Sequence, residues 1–389
     1  MQIPRPYSGH KREQQRMSAR TCLYTAHQEM GAKIVEFSGW DMPLHYGSQI
    51  KEHHCVRRDC AMFDVSHMTV VDIDGSDARS YLRYLLANDV AKITEPGQGL
   101  YSAMLNDQGG AVDDLIVYAL PRGFRLVLNC ATGDKDLAWM NEYAQGFQVA
   151  LQERDDLAII AVQGPQAIAR VSSIVGQTTG DKINTLKPFT SIFTPSSQID
   201  RDWQLARTGY TGEDGLEIIL PSSDAETFWW QLYEAGVLPA GLAARDTLRL
   251  EAGLNLYGHE MDESVSPLRA NMAWTIAWKD FERDFVGRSA LLAACDEGPQ
   301  DKLVGLLLTG RGVLRDGQTV YIAGCEQPGV ITSGSFSPTL GYSIALARVP
   351  VEAGEWAEVM MRKKRETVRL LKPGFIRHGE QVFAAVANE

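Results

Sequence analysis

NDQGGAVDDLIVY, residues 106–118, sets two adjacent acids between a Gly-Gly turn and an apolar run. Side chains on a strand alternate between its two faces, so Asp114 shares a face with Ile116 and Tyr118 while Asp113 shares the other with Leu115 and Val117. Only one of the two carboxylates can look into a given pocket. Standing alone, such a pair is ordinarily two solvated turn acids. Its surroundings decide whether it does chemistry.

Outward from this stretch, strands and helices alternate. Residues 101–105, 115–119 and 124–129 read as strands, the last two forming a hairpin around Pro121, Arg122 and Gly123. Upstream, 69–74 (TVVDID) is a strand, and Ser76 is the expected cap of a helix with Leu82, Leu85 and Leu86 on one face. Before it, 33–37 is a short strand and Ser48 opens a helix. Downstream, 134–146 is helical, 158–162 is a strand and Gly164-Pro165 begins another helix. Residues 203–208 and 216–220 pair around a glycine-rich turn. Ser223 and Glu226 form a capping box for a helix whose Trp229, Trp230 and Tyr233 are expected in the core.

Beyond about residue 300 the texture changes. LVGLLL, TVYIA, GVITS, SIALARV, AEVMMR and ETVRLL are short strands separated by Gly, Pro and Asp, so an all-β barrel or sandwich is expected, reached through a linker at 295–302.

A chain of 389 residues exceeds one hydrophobic core, which implies two or three domains. Its net charge of −11 argues against a broad surface for nucleic acid or anionic membrane, and no apolar run approaches the about 18 residues of a membrane helix. The six cysteines lack Cys-x-x-Cys spacing and read as free thiols in a reducing compartment. The first twenty residues carry Arg5, Lys11, Arg12, Arg16 and Arg20 against Glu13, without the apolar segment of a secretory signal. They are a basic disordered leader or an over-extended start, and their lack of amphipathic order favours a beginning at Met17. A cytoplasmic protein is expected, or a mitochondrial-matrix one if the leader is a transit peptide.

His45, His53, His54 and His67 have no helical i, i+4 pair among them and no partner Cys in a ligand pattern, so no metal is expected. RTGYTGEDGLEI, residues 207–218, delivers Glu213, Asp214 and Glu217 on a glycine-rich turn. It lacks the Lys-Ser/Thr ending of a phosphate loop, and its acids repel phosphate. The acids are either solvated or face a ligand rich in donors, such as the amino-pyrimidinone edge of a pterin, which offers a carboxylate two parallel N–H groups. In GLAARDTLRLEAGLNLYG, residues 241–258, Arg245 and Arg249 lie four apart and put two guanidinium groups in line, a pattern otherwise common on salt-bridged surface helices.

These motifs, with GWDMPLHYGSQIKEHHCVRRDCAMFDVSHM, YLLANDVAKI and SGSFSPTLGYSIALARV, occur in an order that resembles the aminomethyltransferase (T-protein) family of the glycine cleavage system, from about residue 21 to about 379. The wider folate-dependent group also holds dimethylsulfoniopropionate demethylases, the folate domains of sarcosine and dimethylglycine dehydrogenases, and an iron–sulfur maturation protein. The last has a Lys-Gly-Cys-Tyr-x-Gly-Gln motif, whose counterpart here, Arg207 to Glu213, lacks the Cys.

The resemblance implies an α+β fold of three domains in a cloverleaf around a central channel: two interleaved α+β domains over 21–294 and a C-terminal β-barrel over 295–389, after the leader at 1–20. It implies Asp114 as the catalytic acid near nitrogens 5 and 10 of tetrahydrofolate, Glu217 as the pterin ligand assisted by Arg245, and Tyr101 and Asn129 lining the channel. In the C-terminal LKPGFIRHGEQ the candidate contact is Arg377. The implied reaction carries the aminomethyl carbon from the lipoyl arm of H-protein to tetrahydrofolate, a co-substrate, without a metal. It gives 5,10-methylenetetrahydrofolate, ammonia and dihydrolipoyl H-protein. Two rivals share the folate site: a folate-dependent methyltransferase or demethylase acting on a free small molecule, and a non-catalytic folate-binding scaffold that keeps Glu217 but tolerates loss of Asp114.

Overall fold

Strand Ala111–Ala119 lies second in a five-stranded antiparallel sheet, between Gly99–Leu105 and Phe124–Leu128, with Thr69–Asp74 and Ala150–Glu153 beyond. The Gly-Gly turn before it is required by space. Gly109 sits at φ +79°, and a Cβ on Gly110 would fall 1.8 Å from the Glu263 carbonyl oxygen. A register shift then leaves Val112 as the extra residue of a bulge directly before the two acids. The computed structural model describes residues 18–195, 202–362 and 364–384. Most of the expected leader lies outside those residues; Ala19 already pairs with the hairpin at Gly39 and Asp41.

A second, six-stranded sheet runs in the order Ser191–Pro195, Asp202–Ala206, Gly215–Pro221, Leu157–Gln163, Ala61–Asp64 and Leu238–Pro239, with only the last pair parallel. The strands of the five-stranded sheet fall in sequence between Ala61–Asp64 and Leu157–Gln163, so the two sheets are interleaved along the chain. Each sheet buries one face under its own helices. Tyr81, Leu82 and Leu85 of Ala78–Leu85 cover the first, and Phe228, Trp229 and Leu232 of Ser222–Glu234 cover the second. The remaining faces turn toward each other's neighbourhood, and helix Leu242–Ala252 packs there.

Asp301–Leu308, Ser343–Pro350, Gly329–Phe336, Thr319–Tyr321, Trp356–Met361 and Lys364–Leu371 close into a barrel, which resolves the choice between barrel and sandwich. The expected linker at 295–302 is mostly ordered structure: helix Arg288–Glu297 runs into it, and only 298–300 separate that helix from the first barrel strand.

Three further expectations are corrected. Ser76 does not cap Ala78–Leu85; Asp77 occupies that position, and its carboxylate accepts instead from the Gln148 N–H, fixing a neighbouring loop. The Ser223–Glu226 box does not form, because the helix starts at Ser222 and Ser223 is already inside it. Of the aromatic stripe Trp229 is buried, whereas Tyr233 is 44% exposed; the core side is Phe228, Trp229 and Leu232.

Candidate active site

Where the two sheets, the helix Leu242–Ala252 and the barrel meet, they enclose a cavity of about 940 Å³, near the upper end of ordinary ligand sites. Asp114, Tyr101, Asn129, Glu217 and Arg245 all line it. Arg377 does not: it is exposed on the short strand Ile376–Arg377.

The register of the sheet explains how Asp114 acquires its neighbours. Ala103 stands opposite Asp114, so Tyr101 is the diagonal neighbour on the same face, and its hydroxyl donates to Asp114 Oδ2 at 2.6 Å. Ile116 pairs with Val127, so continuing the same register by two residues brings Asn129 beside Asp114, where Nδ2 donates to Oδ1 at 2.9 Å. Burial, and then the nearby Asp113, push the Asp114 carboxyl up to about 7 against these two stabilising hydrogen bonds. Asp113 itself is fully buried on the opposite face, as alternation requires.

Glu217 sits on the other sheet, opposite Ala161 and Ala206. Its Oε2 accepts from the Thr208 hydroxyl at 2.6 Å, and Thr208 in turn is 3.0 Å from the Tyr118 hydroxyl. Tyr118 lies on the Asp114 face of its strand, so this short chain of hydroxyls ties the two sheets across the cavity wall. Glu213 and Asp214, which share the turn, are occupied elsewhere, Glu213 with Arg57 and Asp214 with Arg207.

The two arginines of the helix also part company. Arg249 is ion-paired with Asp246 and Glu260 and donates to Ser333 of the barrel. Arg245 lies over the Tyr210 ring, 4.6 Å from its centroid, with no hydrogen-bond or ion-pair partner among the described residues. The expectation of two guanidinium groups offered in line reduces to one.

The histidines weighed as metal ligands have separate uses. His53 contacts Thr247 and Thr339, His45 accepts from the Gly47 N–H, and His67 is buried in the cavity wall with Nδ1 unpartnered. Among the described residues no group of three or more His, Cys, Asp or Glu is placed to hold a metal.

Sequence reasoning did not find Tyr210, His67 or Trp274 as wall residues. Trp274 stacks on Tyr101 at 5.7 Å and is 65% exposed at the cavity. It sits in a single 3₁₀ turn, Ala273–Thr275, too short for a periodicity that would announce it, whereas His67 stood in view as a metal candidate.

Compared with known proteins, residues 23–280 match the model of the GCVT N-terminal domain, and residues 302–385 match that of the glycine cleavage T-protein C-terminal barrel domain. The aminomethyltransferase of Pseudomonas syringae pv. tomato is 56% identical over 364 residues, covering 94% of this chain and 99% of its own. The crystal structure of glycine cleavage system aminomethyltransferase T from Bartonella henselae superposes with a TM-score of 0.85 at 33% identity, over 92% of this chain and 98% of its own. With both parts of the chain matched and a 56%-identical relative covered almost end to end, the chain belongs to the glycine cleavage T-protein family.

Proposed function

We infer that this chain acts as an aminomethyltransferase of the glycine cleavage system, moving the aminomethyl-derived carbon from the lipoyl arm of H-protein to tetrahydrofolate and releasing ammonia. One observation carries the reading at the level of the site. A half-buried carboxyl poised at about 7, Asp114, shares a cavity with a second carboxylate and a guanidinium that has no ion-pair partner among the described residues, both supplied from far along the chain. The six free thiols support a reducing compartment such as the cytoplasm.

Each demand of the reaction has a group to meet it. Glu217 has lone pairs left beyond the Thr208 bond to accept the paired N–H donors of the pterin edge, and Arg245 offers donors to the ring's acceptors. Together they fix the ring, which converts transfer into an oriented step between bound groups. Asp114, held by Tyr101 and Asn129, stabilises positive charge on the carbon in transit and carries a proton for the departing amine. The apolar cavity wall keeps water from that carbon.

The experiment is ammonia release from aminomethylated H-protein, with and without tetrahydrofolate. Folate-dependent release is expected. No release with that substrate, together with methyl transfer to folate from a free small molecule, would overturn this reading in favour of the demethylase class.

A further inference from the structure

Behind Asp114, on the face of its strand turned from the cavity, the carboxyl of Asp113 meets that of Asp136 from helix Gly133–Tyr143, and both are fully buried. Asp113 is well supplied with donors: Asn129 gives its Nδ2 at 2.7 Å and its backbone N–H at 3.1 Å. Neither oxygen of Asp136 has a hydrogen-bond donor among the described residues; the nearby Thr132 hydroxyl donates to the Asn129 carbonyl at 3.1 Å instead. The adjacent Lys135 ammonium is engaged with the Val112 carbonyl, the Tyr257 hydroxyl and Glu263. Two ionised carboxylates in contact, dry and without a cation of their own, are prohibitively costly. A proton between them turns one acid into a donor and gives the other the hydrogen bond it lacks.

We propose that Asp113 and Asp136 share one proton, Asp136 as the neutral donor and Asp113 as the carboxylate, and that Asp113 is thereby a positioning residue for Asp114. N–H donors favour the charged form of the acid that receives them, and Asp113 receives two while Asp136 receives none among the described residues. The link is Asn129. Its Nδ2 donates at once to Asp113 Oδ1 and Asp114 Oδ1, so the charge on Asp113 holds the amide in the orientation that Asp114 uses. Burial holds both carboxyls of the pair above the usual carboxylate range. The other groups facing the pair are Asp114, Lys135, Tyr101, Tyr257 and Cys130; burial raises the two phenols and the thiol, which stay neutral at physiological pH.

The kinetic part of this inference rests on Asp114 as the working acid; the proton itself can be read without activity. Infrared spectra of the full-length protein in mildly alkaline buffer, where Asp114 is ionised, should show the C=O stretch of a protonated carboxyl. The band should vanish in Asp113→Asn and in Asp136→Asn. Asp113→Asn removes the charge beside Asp114 and should move the acid limb of the kcat profile downward by roughly one pH unit. Asp136→Asn, whose amide reproduces a neutral donor to Asp113, should move the midpoint far less. Absence of the band in the unaltered protein, or equal displacement by both variants, overturns the proposal. Should Asp136→Asn fail to fold, the unaltered protein and Asp113→Asn still decide the spectroscopic question. A band that behaves as expected while Asp114→Asn keeps full turnover leaves the shared proton standing and removes only the catalytic reading.

Discussion

Exchanging one oxygen of Asp114 for an amide nitrogen removes its charge and its proton at nearly constant size. Asp114→Asn should therefore lower kcat by roughly 10²–10⁴-fold, the range of a single acid–base group, while the folate Kd changes only a few-fold. If Asp114 works ionised, kcat in the unaltered protein should fall as pH drops through about 7, and the variant should lose that limb. Glu217→Ala should show the reverse split: a charge-assisted pair contributes about 1.5–3 kcal/mol, so calorimetry should find a Kd roughly ten- to a hundredfold weaker. An unchanged Kd would count against Glu217 as the pterin contact. Asp114 was legible because strand parity needs no tertiary information and the family motif then selects one face. Asp136 was not, since an acid in the first turn of a helix is ordinarily explained by the helix dipole, and nothing local reveals that it points at Asp113.

Helix Leu242–Ala252 is the element on which the three units converge. Its Glu251 is fully buried and accepts from Arg57 of the six-stranded unit and from Ser337 and Thr339 of the barrel, with His53 Nε2 at 3.2 Å. The helix ends at Gly253 in the left-handed conformation, where a Cβ would meet the Gly374 nitrogen at 2.1 Å, so its exit is as constrained as its face. Burial alone would raise Glu251, but the His53 hydrogen bond and the charges of His53 and Arg57 outweigh it and bring the carboxyl down to about 2. A depressed folded-state value contributes stability that is present above the unfolded value and lost as pH falls through the folded one. Thermal stability should accordingly decline between about pH 4.3 and about pH 2 from this group. Glu251→Gln should flatten that window and cost about 3–5 kcal/mol at neutral pH, because Arg57 is left buried without its full partner. Unchanged denaturant midpoints would reject this account. The helix itself was readable from its spacing, as were most strands. The missed caps at Ser76 and Ser223 show where that reading stops: the Asp77 carboxylate at the first helix start is taken by the Gln148 N–H of a loop distant in sequence, and the second helix begins early enough to include Ser223 in its first turn.

At the scale of the molecule, the cavity belongs to no single unit. Asp114 comes from one sheet, Glu217 from the other, Arg245 from the helix between them and Ser333 to Ser335 from the barrel, so the wall is complete only when all are docked. Repeated short strands made the barrel visible in the sequence, but its contribution to the cavity was not, because Ser333, Gly334 and Ser335 are residue types that any strand edge uses. Their role follows from the docking of the barrel on helix Leu242–Ala252 through Arg249 and Glu251. A ligand seated in such a junction binds only the assembled state, and its binding free energy is then shared by every unit that forms the wall. Tetrahydrofolate at about 100 times its Kd should add roughly 2.7 kcal/mol to the stability of that state. Calorimetric scans should then show the barrel and the interleaved sheets moving together to higher temperature. Two transitions, with the barrel's unmoved by folate, would mean that the barrel is a passenger and that the site is complete without it. The same scan on Glu251→Gln sharpens the result: weaker docking should reduce the folate-induced shift although Glu251 does not line the cavity.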